Sequence, residues 1–401
     1  MDADSVSRTD AGSVSRSRSD AGSVSRSDAG SVSRTGTGWY PLRLTTPVKQ
    51  HVFGGRYIPR YLGRDGMPEG RIAETWEVSD VEGDGAHIVN GALAGRSLRG
   101  LTEEFPEELV GRGWRGGPRF PLLTKFIDAY RPLPVHLHPD DEAARRLEGE
   151  PNGKTEAWHI VAAAPGATAL VGVREGVGRD ELRRALLAQD FDSVMRRLPV
   201  LAGRTIYVPA GTLHSFGPET LVYEIEQTSD LQQHAMRHRM EDGSPIPDDQ
   251  WHSHIEALLD EWKPAPRPEF TPGLTLPSGE GTERRVLCAG PYFALERLRA
   301  HSHAGALVRA FDTAVVLSNV GTPTTVTCGP FSEPLGRAST LLLPAALGFV
   351  EIQAPADVLI GYVPDLNHDI RTPLLAAGHP AADVAALGEG LGGHSPTDQG
   401  T

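Results

Sequence analysis

Two histidines stand one residue apart in PVHLHPDDEAA (134–144), and a lysine and a glutamate follow in GKTEAWHI (153–160). A third histidine sits near the end of YVPAGTLHSF (207–216). On a strand, residues i and i+2 point to one face, so His136 and His138 can reach a single ion together. Glu156 lies in an apolar-flanked stretch, TEAWHIV, that reads as a neighbouring strand. His214 follows a Pro-Ala-Gly turn able to aim it back at the pair. Three imidazoles and one carboxylate suit zinc, iron(II), manganese or nickel, with room left for water or substrate. A bare HxH is more often two strand residues with ordinary contacts. The set of four is what points to one divalent metal ion.

Such a set needs strands to carry it. FPLLTKFIDA (120–129) reads as a buried strand, with Lys125 as an odd charge in it. TIYVPAGTLHSF (205–216) and TLVYEIEQT (220–228) read as strands about a turn rich in Gly and Pro. PDDEAARRL opens a helix, because Pro139 suits a first turn and the acidic residues complement its dipole. GRDELRRALLAQDFDSVMRRLPV (178–200) is the clearest helical zone, with Leu182, Ala185, Leu186 and Met195 at helical spacings. HIEALLDEWK (254–263) is a second amphipathic helix. There is also an internal echo: GRTIYVPAGTLH (203–214) resembles ASTLLLPAALGF (338–349), which sets Phe349 opposite His214. It implies two copies of one β-unit, with the metal-type residue only in the first.

Composition bounds the rest. The 401 residues carry a formal net charge of −13, which argues against the basic stripe of a nucleic-acid partner. No apolar run is long enough to span a bilayer, and no membrane partner is expected. Two cysteines, Cys288 and Cys328, are too few for a disulfide scaffold and fit a reducing compartment. The first residues lack the apolar core of a signal peptide, so the cytoplasm is the expected location. Repeats of DAGSVSRS over residues 1–35 offer no core to bury and are expected to be disordered. The expected organisation is a tail over 1–38, a metal-binding domain with a helical insertion over 39–262, and a Pro/Gly-rich linker over 263–283. A second β domain without a metal site follows over 284–375, then a loose tail over 376–401.

ETWEVSD (74–80), FPLLTKFIDA, VHLHPDDEAA, GKTEAWHI, YVPAGTLHSF and LVYEIEQTSD (221–230) together resemble the type I mannose-6-phosphate isomerases of the cupin superfamily. The resemblance keeps the family's order and spacing from about Tyr40 to Leu366. It implies a mainly β chain: cupin jelly-roll barrels with the metal in the mouth of the first, a small helical insertion, and a second, degenerate barrel. The implied reaction takes mannose 6-phosphate to fructose 6-phosphate through an enediol. The implied partner is a small sugar or sugar phosphate and the usual ion is zinc, with iron or manganese left open by the donors.

His138, Glu156 and His214 fall on the family's metal ligands, and Lys154 and Glu224 on polar residues of its pocket. Three departures lie at the site. The first ligand, Gln in the family, is His136. The family's Ser is Pro134, which has no hydroxyl. The family's catalytic Arg falls on His234, with Arg237 and Arg239 close by. The expected metal ligands are therefore His136, His138, Glu156 and His214. Lys154 is the candidate for charge stabilisation or proton delivery, and Glu224 and His234 are the candidates for acid–base work.

Plainer roles stand beside these. Lys154 could only pair with Glu156 or Asp141, Glu224 or Glu226 could be structural ion-pair partners, and His234 could be solvated loop. His159 reads as a packed or surface residue. A second HxH, His301 and His303, has no carboxylate segment after it and is left out. The altered site leaves other functions open: another or unphosphorylated sugar, oxygen chemistry, or a non-catalytic sugar-binding regulator.

Overall fold

The computed structural model describes residues 38–392, and the octad repeats lie outside them. The first unit is built from β1 (Val48–Lys49), β2 (Glu74–Val78), β3 (Leu122–Ala129), β4 (His136–Leu137), β5 (Glu156–Ala163) and β6 (Thr168–Val173). It continues with β7 (Met195–Pro199), β8 (Thr205–Val208), β9 (His214–Phe216), β10 (Thr220–Gln227) and β11 (Gln233–His234). They form a six-stranded sheet, β1-β2-β3-β10-β5-β8, facing a five-stranded sheet, β11-β4-β9-β6-β7. The second unit holds β12 (Leu274–Leu276), β13 (Thr282–Ala289), β14 (Ala294–Ala300), β15 (Leu307–Ala310) and β16 (Val315–Asn319). After these come β17 (Thr324–Cys328), β18 (Phe331–Leu335), β19 (Thr340–Leu343), β20 (Phe349–Ile352) and β21 (Ala356–Tyr362). Its sheets run β12-β13-β14-β21-β16-β19 and β15-β20-β17-β18. Strand for strand this is the order of the first unit, with β11 as the addition. The chain is mainly β, of cupin type, and the short sequence echo belongs to a repeat of the whole unit.

Residue alternation decides which face each strand buries. Ile127, Trp158, Ile160 and Val222 point inward, against Ala169, Val171 and Phe216 of the facing sheet. Phe126, Ala157, Tyr223 and Ile225 point outward and meet Leu295, Val316, Leu342 and Leu359 of the second unit. The two six-stranded sheets thus pack back to back. A strand covered on both sides needs no polar face, so FPLLTKFIDA is a nearly continuous apolar run. The helices Arg179–Ala188 and Asp248–Glu261 cover the five-stranded sheet, setting Leu182, Leu186, Ile255 and Leu258 against Val135 and Leu137.

Three segments differ from expectation. The long helical zone breaks after Ala188, where Gln189 takes a left-handed conformation (φ 57°), and resumes only for the short helix Phe191–Val194. Met195 then starts β7 rather than continuing a helix, because it and Leu198 register with Val173 and Ala169 of β6. The Pro/Gly-rich linker contributes β12, in which Leu274 and Leu276 extend the second unit's sheet by pairing with Val286 and Arg284. The C-terminal stretch from residue 376 is not loose as far as Leu391. Val384, Leu387 and Leu391 recur at helical spacing and are buried in the second unit's core. Among the described residues no helix is long and apolar enough to cross a membrane.

Candidate metal centre and active site

The sheet register brings the donors together. His136 on β4 lies directly opposite His214 on β9, and Glu156 opens β5. Each imidazole is held by its Nδ1 against a backbone carbonyl: His136 on Pro134 at 2.7 Å, His138 on Leu231 at 2.6 Å, and His214 on Thr212 at 2.8 Å. A carbonyl oxygen only accepts, so each Nδ1 carries the proton and each Nε2 presents a lone pair. Those lone pairs converge. Nε2 of His136 and His214 are 2.9 Å apart, and the Glu156 carboxylate lies 3.1 Å from Nε2 of both His138 and His214.

Lone pairs facing one another and a carboxylate are repulsive unless a cation lies among them. Burial, then His214 and His138, push His136 well below the usual histidine range. Burial, then Lys154, take His138 to about 3. Both rings are therefore neutral near pH 7, the form that ligates metals. Oε2 of Glu156 is buried without a hydrogen bond, while Oε1 accepts one from Trp158 Nε1 at 2.9 Å. The donor set fits one divalent metal ion.

Beside the donors lies a cavity of about 270 Å³, lined by Lys49, Trp76, Lys125, His136, Lys154 and Glu224 among others. Its two inner lysines share one buried carboxylate. Glu226 lies 2.8 Å from Lys154 Nζ and 2.9 Å from Lys125 Nζ. Lys154 also approaches Glu156 and His138, each at 3.3 Å. Lys125 also approaches Glu224 at 3.7 Å and Glu74 at 3.8 Å. Burial alone would discharge both lysines, but the acids around them, Glu226 first, raise both and keep them ammonium ions. Glu224 moves the other way. Burial, then Glu226 and Glu156, raise it well above its ordinary value, which favours its protonated form. Burial also opposes charge on Glu74, yet Lys125 and its neighbours lower it and keep it ionised. Two carboxyls shifted in opposite directions flank one ammonium, an arrangement suited to paired acid and base work.

The pattern described as phosphomannose isomerase type I, catalytic domain, matches residues 42–159. A mannose-6-phosphate isomerase of Streptococcus mutans serotype c is 33% identical over 258 residues, which cover 64% of this chain and 77% of that protein. The chain belongs to the mannose-6-phosphate isomerase family. A Bacillus subtilis mannose-6-phosphate isomerase is 33% identical over 190 residues, 47% of this chain and 58% of that one. The crystal structure of a mannose 6-phosphate isomerase from Bacillus subtilis superposes with a TM-score of 0.72 at 25% identity, covering 80% of this chain and 99% of its own. A phosphomannose isomerase variant from Salmonella typhimurium shares the fold at 14% identity and a TM-score of 0.64, with 80% and 99% covered. This chain is accordingly an isomerase, and the oxygen-using and non-catalytic readings of its site are not favoured.

Within this isomerase the expected residues fall into two groups. His136, His138, Lys154, Glu156, His214 and Glu224 are brought together. His234 is not. It pairs with His136 in register, but its ring faces His254 at a centroid distance of 6.0 Å and does not line the cavity. Arg237 is drawn to Asp248 and stacks over Trp251 at 4.3 Å, and Arg239 is exposed; neither lines the cavity. The positive charge in the cavity comes instead from lysines. Lys125 was visible in the sequence as a charge within an apolar strand but had no assigned partner. Glu226 was visible only as an alternative to Glu224. Glu74, Trp76, Lys49 and His51 carried no signal of their own, although Trp76 lies 4.5 Å from both Lys49 and Lys125. His159 is buried and bonded to Thr205 at 2.9 Å, a packed residue.

Proposed function

We propose that this isomerase interconverts mannose 6-phosphate and fructose 6-phosphate, with zinc held by His136, His138, Glu156 and His214. The observation that carries the reading is the convergence of three Nε2 lone pairs and Glu156 on the wall of a cavity that also holds Lys125, Lys154 and Glu224. Bound zinc supplies Lewis acidity toward a substrate oxygen. Glu224, in its protonated form, gives a proton to the ring oxygen and takes one back from the 1-hydroxyl as the ring opens. It then gives a proton to O1 as the enediol forms and takes the O2 proton as C1 is protonated. Glu74, ionised in the same cavity, takes the proton from C2 and returns it to C1. Lys125 and Lys154 hold positive charge beside the oxygens on which negative charge develops, the work the family gives in part to an Arg. Glu226 fixes both lysines. Lys49, which pairs with Asp84 at 2.7 Å, and His51 line the same cavity and are the side chains a phosphate there would meet in place of the hydroxyl that Pro134 lacks. A cytoplasmic location belongs to the same proposal and rests on the two unpaired, buried cysteines.

The test is a coupled assay for fructose 6-phosphate formed from mannose 6-phosphate, on protein whose metal content is measured. Turnover that a chelator abolishes and zinc restores is expected. A metal-replete protein that binds the sugar phosphate and does not turn it over would overturn the assignment.

A further inference from the structure

The repeat of the fold places a second cavity where the first unit keeps its donors. His136 lies opposite His214, and the matching pair in the second unit is Ala310 opposite Phe349. Glu156 lies opposite Val208 and Glu226; the match is Val315, opposite Leu343 and Tyr362. Lys125 lies opposite Glu224, and Glu296 opposite Ile360. Two residues further along, Glu74 lies opposite Ile127, and Arg284 opposite Leu298. The Glu74–Lys125 pair therefore recurs as Arg284–Glu296 with its polarity reversed. Ala310, Val315 and Phe349 have nothing with which to ligate a metal.

The cavity itself persists. It measures about 390 Å³ and is lined by Arg112, Arg309, Phe311, Val315 and Tyr362 among others. Beneath it the fully buried Glu296 accepts hydrogen bonds from Arg284 Nε at 2.7 Å, Arg284 Nη2 at 2.9 Å and Tyr362 Oη at 2.5 Å. Arg309 Nη2 reaches the same carboxylate at 3.3 Å. Glu296 lies between two guanidiniums, of which Arg309 lines the cavity; counted with Arg112, Asp312 and Asp369, three guanidiniums stand against three carboxylates. At the mouth Arg112, from the first unit, engages Asp312 at 2.9 Å and Asp369 at 2.8 Å. Burying such a cluster costs desolvation that apolar packing would avoid. A merely abandoned pocket would gain by filling with apolar side chains.

We propose that this second cavity binds, without a metal, a small metabolite bearing an oxyanion, phosphate or carboxylate. Arg309 is its counter-charge and Phe311 and Tyr362 form its wall. The inference does not rest on the isomerase reaction. It is tested by equilibrium dialysis of the full-length, metal-loaded protein against radiolabelled inorganic phosphate and, separately, acetate. The proteins compared are wild type, Lys125→Met, Arg309→Gln and Val315→Phe. Lys125→Met weakens any anion binding in the first cavity; Val315→Phe fills the second and leaves its charges in place. Binding that survives Lys125→Met and weakens by about tenfold or more in Arg309→Gln or Val315→Phe is expected. The stronger of the two ligands then identifies the oxyanion. Wild type that binds neither ligand, or folded Arg309→Gln and Val315→Phe proteins that bind as wild type does, would overturn the proposal and leave the cluster purely structural.

Discussion

At the scale of the residue, the chemistry of the site is set by which proton each group keeps. Three backbone carbonyls fix the tautomers of His136, His138 and His214, and one tryptophan fixes the carboxylate of Glu156. Trp158→Phe removes the hydrogen bond to Glu156 Oε1 and nothing else polar. Affinity for the divalent metal ion is expected to fall by about tenfold, read by chelator competition, with the fold intact by circular dichroism. Unchanged affinity would mean that Glu156 is oriented by its strand alone. Glu226 makes a sharper case. It is fully buried between two ammonium groups, so Glu226→Gln leaves two buried charges without their shared partner. A loss of about 3 kcal/mol in urea denaturation is expected, together with a fall in kcat on metal-replete protein. The sequence made the histidines legible because extended alternation puts two of them on one face, His136 on β4 and His138 just past its end. It did not make the partners of Lys125 legible, because its three acids lie on β2 and β10 and meet it only through register. His234 stands apart: the family resemblance gave it a role, while its ring lies against His254.

Among the elements, β5 shows how one strand serves two neighbours. Glu156 and Trp158 point into the first unit, while Ala157 and His159 point at the second. Thr205 Oγ1 lies 2.9 Å from His159 Nδ1, Arg297 Nη1 lies 3.3 Å from its Nε2, and Asp357 and Arg299 stand behind. Burial first, then Arg297, lower His159 to about 3. Unfolded, the same ring titrates near about 6.5. Below that pH the unfolded chain takes up a proton that the native protein refuses until about 3. Stability is therefore lost as pH falls from about 6.5 toward 3, by an amount on the order of a few kcal/mol. Urea midpoints measured across that range are expected to fall more steeply for the wild type than for His159→Gln. Parallel curves would assign the acid limb to other groups. Such a residue was legible only as packed or exposed, since nothing local announces a second unit facing it.

For the whole molecule, the back-to-back sheets decide whether two repeated units behave as one. The sequence showed the repeat through a short Pro-Ala echo. It could not show that both copies turn their larger sheets toward each other, because burial on two sides looks the same in sequence as any apolar run. The contact is close enough to test at a single atom. Gly361 on β21 faces Ile225 on β10, and a Cβ added there would lie 2.6 Å from Ile225 Cδ1. Ile225 is fully buried in the shared core, so its Cδ1 can move only by displacing neighbours from either unit. Gly361→Ala is expected to cost about 1–3 kcal/mol, and Ile225→Val, which removes that same Cδ1, about 1 kcal/mol. Combined, the added methyl enters the space the deleted one leaves, so the double variant should be more stable than the sum of the two losses predicts. Calorimetry of the four proteins reads both quantities at once. Non-additive losses within a single unfolding transition would show the two units melting together through this face. Additive losses would mean that the sheets do not touch at Gly361, and two transitions would mean that each unit carries its own stability.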